Sequence, residues 1–328
     1  MIVEIKKPRT CLLTVTNRCV LRCKMCHLWT LDTAQDEITA EDCKKFVDSL
    51  GQLNSDPMEV HLIGGESLIK KGILELISHI RGKGSRTVMT SSGYPINEAM
   101  AQGLVDSGLS MLNLSLESLN PLVHDRLRGR EGCFQQAMNA LGHFKRIGKK
   151  GMKLGINSII TAANLDDIVG LAEWVEQNEF LDSLYFMSVM RPFGAPVDWE
   201  WFKKEKFKEL WPADYSKVER VLNKIIEMKK SYRKIENPVG QLQSYKDYFK
   251  SPDHFIKSKR CNVSEQAVNV NALGDVYLCF FMEKLGNIKT DNIAELWRSQ
   301  KAEDIREQMN RCRRNCELVV NCYYENEH

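Results

Sequence analysis

Cys11-Leu-Leu-Thr-Val-Thr16-Asn-Arg-Cys19-Val-Leu-Arg-Cys23-Lys-Met-Cys26 is the stretch on which the reading of the fold turns. An apolar, β-branched run leads directly into three cysteines spaced C-x3-C-x2-C. With no fourth cysteine nearby, three thiolates in one short loop can hold three corners of a cubane iron–sulfur cluster. The remaining iron then lacks a protein ligand, and an exogenous molecule can complete its coordination. The alternative is a structural zinc site with His27 as fourth ligand. Zinc sites usually draw on two separated ligand pairs, and adjacent Cys26 and His27 would rarely point at one ion.

Outward from this loop, short β-rich runs alternate with amphipathic segments as far as residue 190. The candidate strands are 11–16, 58–63, 86–90, 111–116, 153–160 and 183–190. The intervening helical patterns are 40–50, 69–81, 96–107, 134–147 and 165–177. Strands separated by helix-length segments imply a parallel sheet with right-handed crossovers. Six such repeats predict an α/β fold, a partial (β/α)6 TIM-like barrel over residues 1–190 that is open on one side. Active sites of such barrels lie at the C-terminal ends of the strands, where the cysteine loop falls. A helical connector is expected over 191–257, with helices near 199–210 and 215–231. A small cysteine-rich α+β domain is expected over 258–328, with a hairpin about Leu273-Gly274 and a helix over 292–310.

Two further strand ends carry polar residues. The second expected strand ends Ile63-Gly64-Gly65-Glu66; paired glycines let the backbone approach a ligand, and a neighbouring carboxylate can take an ammonium group. The fourth ends Asn113-Leu-Ser115-Leu-Glu117, where alternation puts Ser115 and Glu117 on one face. His124-Asp-Arg126-Leu-Arg128-Gly129 follows. A three-cysteine loop after a first strand, together with Gly-Gly-Glu after the second, resembles the radical S-adenosylmethionine (radical SAM) enzymes.

That resemblance implies a [4Fe-4S] cluster on Cys19, Cys23 and Cys26 whose open iron binds the amino and carboxylate groups of SAM. Reductive cleavage of SAM would give a 5′-deoxyadenosyl radical that abstracts hydrogen from a substrate. It also implies that Gly64, Gly65 and Glu66 hold the SAM amino group, although the usual following proline is Ser67 here. Ser115 and Glu117 would meet the ribose, Arg128 the SAM carboxylate, and Met25 and Ile160 the adenine. For Ser115, Glu117 and Arg128 the alternatives are a capped strand end and a surface salt bridge.

Eight of the eleven cysteines fall in two clusters, which in a reducing compartment argues for metal ligation rather than disulfides. The second cluster is Cys261, Cys279, Cys312, Cys316 and Cys322. It resembles the SPASM and shorter twitch extensions of radical SAM enzymes. Five cysteines suit one four-cysteine auxiliary cluster, with one of Cys312, Cys316 and Cys322 to spare; a structural zinc is the competing reading. Cys11, Cys43 and Cys133 sit in strand or helix patterns and are expected to be inert core thiols.

A formal net charge of +3 is too small to argue for nucleic acid or an anionic membrane. No apolar stretch reaches signal-peptide or bilayer-spanning length, so a cytoplasmic protein is expected. An acidic residue follows the position of Cys279 in sulfatase-maturating relatives; Phe280 stands here and counts against that reaction. Eighteen residues precede Cys19, too few for a leader-binding domain, so a peptide substrate is expected to need a separate recognition partner or direct binding in the barrel. The reading is hydrogen abstraction from a small molecule, with the auxiliary cluster taking the substrate electron and Arg191 either orienting or deprotonating the substrate or merely forming a salt bridge. A flavodoxin or ferredoxin is the expected reductant. The alternatives are peptide maturation and, in another class, a non-catalytic iron–sulfur or zinc protein.

Overall fold

The computed structural model describes residues 7–53, 56–252 and 263–312. Six parallel strands follow one another in sequence: β1 (Thr10–Thr16), β2 (Glu59–Gly64), β3 (Arg86–Ser91), β4 (Met111–Ser115), β5 (Lys153–Ile160) and β6 (Ser183–Ser188). Three short strands follow near the end of the chain: β7 (Ala267–Val270), β8 (Asp275–Tyr277) and β9 (Gly286–Asn287). The order across the sheet is β6-β5-β4-β3-β2-β1-β7-β8-β9, so the sheet stays open, as a partial barrel requires.

Amphipathic helices supply the outer layer. The helix Ala40–Leu53 buries Cys43, Phe46, Val47, Leu50 and Leu53, a stripe at helical spacing. Cys43 faces Cys11 of β1, and burial pushes the Cys43 thiol up to about 12. Cys133, buried at the start of Cys133–Ile147, is likewise raised to about 12. These are core thiols. Side chains cap the helix starts: Asn97 accepts from the Met100 N–H and Asp214 from the Lys217 N–H.

The structure adds a helix that the sequence reading omitted, Pro121–Arg128. Asn120 caps it, Pro121 occupies its first turn, and Gly129 ends it at φ 67°. Eight residues are too few for periodicity to register. The helix expected over 199–210 is instead two 3-10 turns, Trp201–Lys203 and Glu205–Phe207. There Trp201, Phe202, Phe207 and Trp211 pack mutually with ring centroids 5.0 to 6.3 Å apart, and Trp211 also meets Tyr248 and Phe249. Ring packing overrides helix propensity at this point. The helix expected over 292–310 breaks at Ser299 into Ile293–Arg298 and Gln300–Arg311, and the Ser299 side chain caps the second.

Both flanks of the barrel sheet are covered. On one, Leu184 and Ile235 form a parallel bridge, and the Asn237 amide mimics a strand by accepting from the Phe186 N–H and donating to the Phe186 carbonyl, both at 2.8 Å. On the other, β7 pairs parallel with β1 from Thr10↔Ala267 to Leu13↔Val270, and β8 turns back antiparallel. The expected C-terminal hairpin therefore extends the barrel sheet itself. Among the described residues no helix is long and apolar enough to cross a membrane.

Candidate active site

The cysteine loop leaves the C-terminal end of β1 and is tied down at both ends. One oxygen of Glu37 accepts from the Thr16 hydroxyl at 2.7 Å; the other accepts from the Asn17 N–H at 2.7 Å and the Thr33 hydroxyl at 3.2 Å. Asn17 also donates to Thr33 at 2.9 Å. Within the loop the Cys26 N–H donates to the Cys23 carbonyl, the Lys24 N–H to the Leu127 carbonyl, and the His27 N–H to the Phe193 carbonyl. The three cysteines thus sit on a backbone fixed from three directions.

The sulfurs already accept hydrogen bonds, from the Leu21 N–H to Cys19 at 3.4 Å and from Arg128 to Cys23 at 3.7 Å. Burial pushes the Cys19 and Cys26 thiols up to about 11. Only a strongly cationic ligand would hold them as thiolates. Among the described residues no three metal-binding side chains converge on a single ion. The cysteines of a cubane each bind a different iron. The donor set fits the cluster.

Gly64 and Gly65 are glycines for a reason that the sequence reading missed. A Cβ on Gly64 would lie 2.2 Å from the Thr16 carbonyl oxygen, and one on Gly65 would lie 2.1 Å from that of Arg18. The close approach is chain to chain: the end of β2 is pressed against the entry of the cysteine loop. Glu66 then turns inward, 2 % exposed, and accepts from the Ser92 N–H at 3.0 Å and the Ser92 hydroxyl at 2.6 Å. Burial raises its carboxyl above the usual range, and the Ser92 bonds pull the other way.

Ser115 closes β4 and is buried; Glu117 follows it and is fully buried. One Glu117 oxygen accepts from Arg128 at 2.5 Å and the other from the Ile159 N–H at 2.7 Å. The surface salt bridge considered for Arg128 is in fact an interior one. Arg128 reaches both Glu117 and Cys23, and these neighbours hold its charge against the cost of burial. Behind the pair, the His124 Nδ1 accepts from the Glu117 N–H at 3.1 Å, while burial, with Arg128, lowers His124 to about 3. Asn164 completes the shell, donating to the Glu117 carbonyl at 2.7 Å. Met25 and Ile160 are buried nearby in the core.

Beside the loop lies a cavity of about 400 Å³, lined by Asn17, Leu28, Arg191, Phe193, Phe280 and Phe281 among others. Arg191 follows β6 and donates to the Ala195 carbonyl. Phe280 and Phe281 follow Cys279, whose sulfur accepts from the Phe281 N–H at 3.4 Å, the same i→i+2 contact that Leu21 makes to Cys19. Cys312 is partly buried at the end of Gln300–Arg311. Cys261, Cys316 and Cys322 lie outside the described residues. Glu37, Ser92 and Asn164 escaped the sequence reading, because a single polar residue in a loop or helix carries no pattern; His124 entered it only as part of a run, with no role.

Residues 13–175 match the Radical SAM superfamily, and residues 261–323 match SPASM, an iron–sulfur cluster-binding domain. The chain is a radical SAM enzyme with a C-terminal SPASM domain. The family uses a [4Fe-4S] cluster with SAM, and its SPASM domain carries auxiliary clusters. The radical SAM enzyme is 30% identical over 184 residues to the Fe-coproporphyrin III synthase of Methanosarcina barkeri (strain Fusaro / DSM 804), a match spanning 56% of this chain and 45% of that one. It is 24% identical over 330 residues to the AdoMet-dependent heme synthase of the same organism, spanning 95% and 89% of the two chains. In fold it is similar to Streptococcus suis SuiB bound to its precursor peptide SuiA, with TM-score 0.67 at 17% identity, over 92% of this chain and 67% of that one.

Proposed function

We propose that this radical SAM enzyme abstracts hydrogen from a small, largely apolar molecule held in the cavity beside the cysteine loop. The observation that carries the reading is the position of that cavity. It is lined by Asn17 and Leu28, which flank the loop of Cys19, Cys23 and Cys26, and by Phe280 and Phe281 in the turn after Cys279. A substrate there lies between a radical source and a site able to take its electron.

Cys19, Cys23 and Cys26 would hold a cluster that with SAM would supply a 5′-deoxyadenosyl radical, and Cys279 and Cys312 would help hold an auxiliary cluster able to take an electron. The chain's own work is placement. The backbone at Gly64 and Gly65, with Glu66, forms the seat for an ammonium group. Arg128 is the buried cation for a carboxylate, positioned by Glu117. Met25 and Ile160 offer apolar surface to adenine, and Ser115 a hydroxyl. Arg191, 9% exposed on the cavity wall, orients an anionic group of the substrate. An apolar wall with few polar groups suits a cofactor intermediate better than a polyhydroxylated sugar or aminocyclitol. The two Methanosarcina relatives, named for iron porphyrins, point the same way. An external one-electron donor such as a flavodoxin or ferredoxin, and a cytoplasmic location for the thiol-rich chain, complete the reading.

A second reading is peptide maturation. The phenyl-lined cavity would accept an apolar side chain, and the peptide complex of SuiB shares the fold.

Anaerobic reconstitution of the wild type should give about eight irons per chain, and a Cys19/Cys23/Cys26→Ala variant about four. With dithionite and SAM the wild type should release 5′-deoxyadenosine and the variant none. Turnover of iron porphyrin carboxylates but not of short peptides would support the first reading; the reverse would install the second. Zinc without iron would remove both.

A further inference from the structure

The outer face of the cysteine loop carries a cluster of cations that neither the cavity nor the SAM seat uses. Arg22 donates to the Cys19 and Leu21 carbonyls at 3.0 and 2.9 Å, and Arg130 donates to the Val20 carbonyl at 2.8 Å. Both guanidinium groups therefore rest on the backbone that presents Cys19. Each also stacks on an aromatic ring, Arg22 at 5.1 Å from Trp29 and Arg130 at 4.1 Å from Tyr94, so their positions are fixed in advance. Arg126, exposed on the helix Pro121–Arg128, is near enough to Glu209 to help lower its carboxyl, and Glu209 pairs with Lys24.

The neighbouring carboxylates offset this face only in part. Asp125 is turned inward, accepting from the Gly132 and Phe134 N–H groups at 2.6 and 2.7 Å. Glu209 is paired with Lys24, and Glu131 is exposed beside Arg130. Arg22, Arg126 and Arg130 make no ion pair among the described residues. Trp29, 37% exposed, and Leu122, 80% exposed, add apolar contact area. None of these residues lines the cavity.

We infer that Arg22, Arg126 and Arg130 form the docking surface for an acidic protein that delivers one electron to the cluster held by Cys19, Cys23 and Cys26. This rests on the proposed reductive cleavage of SAM. In the step the carrier loses one electron and the cluster gains it, and no bond or proton is exchanged. A fixed basic rim around the entry point steers an acidic partner to the one face where its redox group comes close to the thiolates, and leaves the cavity face free for substrate.

Stopped-flow reduction of the reconstituted enzyme by reduced flavodoxin tests the surface. The variant is Arg126→Glu, which touches neither the loop backbone nor the residues proposed to hold SAM, and the control is Lys230→Glu, exposed in the turn after the helix Tyr215–Met228. Arg126→Glu should slow the second-order rate about fivefold at low salt and converge with wild type near 0.5 M salt, with Lys230→Glu unchanged. Dithionite, a small reductant, should reduce all three proteins alike. Equal flavodoxin rates for Arg126→Glu and Lys230→Glu, or a wild-type rate independent of salt, would overturn the docking surface alone. A wild type that dithionite cannot reduce would instead overturn the radical SAM reading and the inference with it.

Discussion

Arg128 and Glu117 show how the site holds charge in its interior. The pair is buried, so removing one partner strands the other. Arg128→Met should cost about 3–5 kcal/mol in chemical denaturation of the metal-free protein, and adding Glu117→Gln should restore part of it. A cost below 1 kcal/mol would mean that the pair is solvated after all. His124 behaves oppositely. Its folded value of about 3 lies below the ordinary 6.5, so the unfolded chain takes up the proton first. Its contribution is complete above pH 6.5 and is lost as pH falls towards 3. About 2 kcal/mol should be gone at pH 5, and His124→Asn should flatten that slope in urea titrations at pH 7 and 5. At this scale the sequence was informative about cysteines, because metal chemistry restricts residue type and spacing together. About Gly64 and Gly65 it was incomplete: a glycine shows that something comes close but not what, and here the Thr16 and Arg18 carbonyls do.

At the scale of elements, the loop is shaped by the pieces that press on it. A Cβ on Gly129 would lie 2.1 Å from the Arg22 carbonyl oxygen, matching the contact of Gly65 with Arg18. Gly65→Ala and Gly129→Ala should therefore leave the circular dichroism spectrum nearly unchanged while lowering iron retained after reconstitution. Full iron occupancy in both would show that the loop can yield. At the far flank, Asn237→Ala removes the amide that pairs with both Phe186 backbone groups and should cost about 2 kcal/mol in urea denaturation. The alternating strands and the longer helices were legible because periodicity accumulates over ten residues. The eight-residue Pro121–Arg128 was not, and neither was the break at Ser299, which a cap decides within a continuous helical pattern.

Across the molecule, the parallel pairing of β7 with β1 was the least legible feature. Four residues of strand, joined to their neighbour across some 250 residues of chain, leave no local signal of their partner. The barrel was readable as a succession of neighbours; the return of the chain to its own beginning was not. That return bears on synthesis. Until the ribosome has made residue 270, β1 has β2 on one side and nothing on the other, and the loop bearing Cys19, Cys23 and Cys26 hangs from an unfinished strand. Iron delivered to nascent chains should therefore be held poorly, and the cell's cluster-loading machinery should meet its proper target only after Ala267–Val270 has emerged.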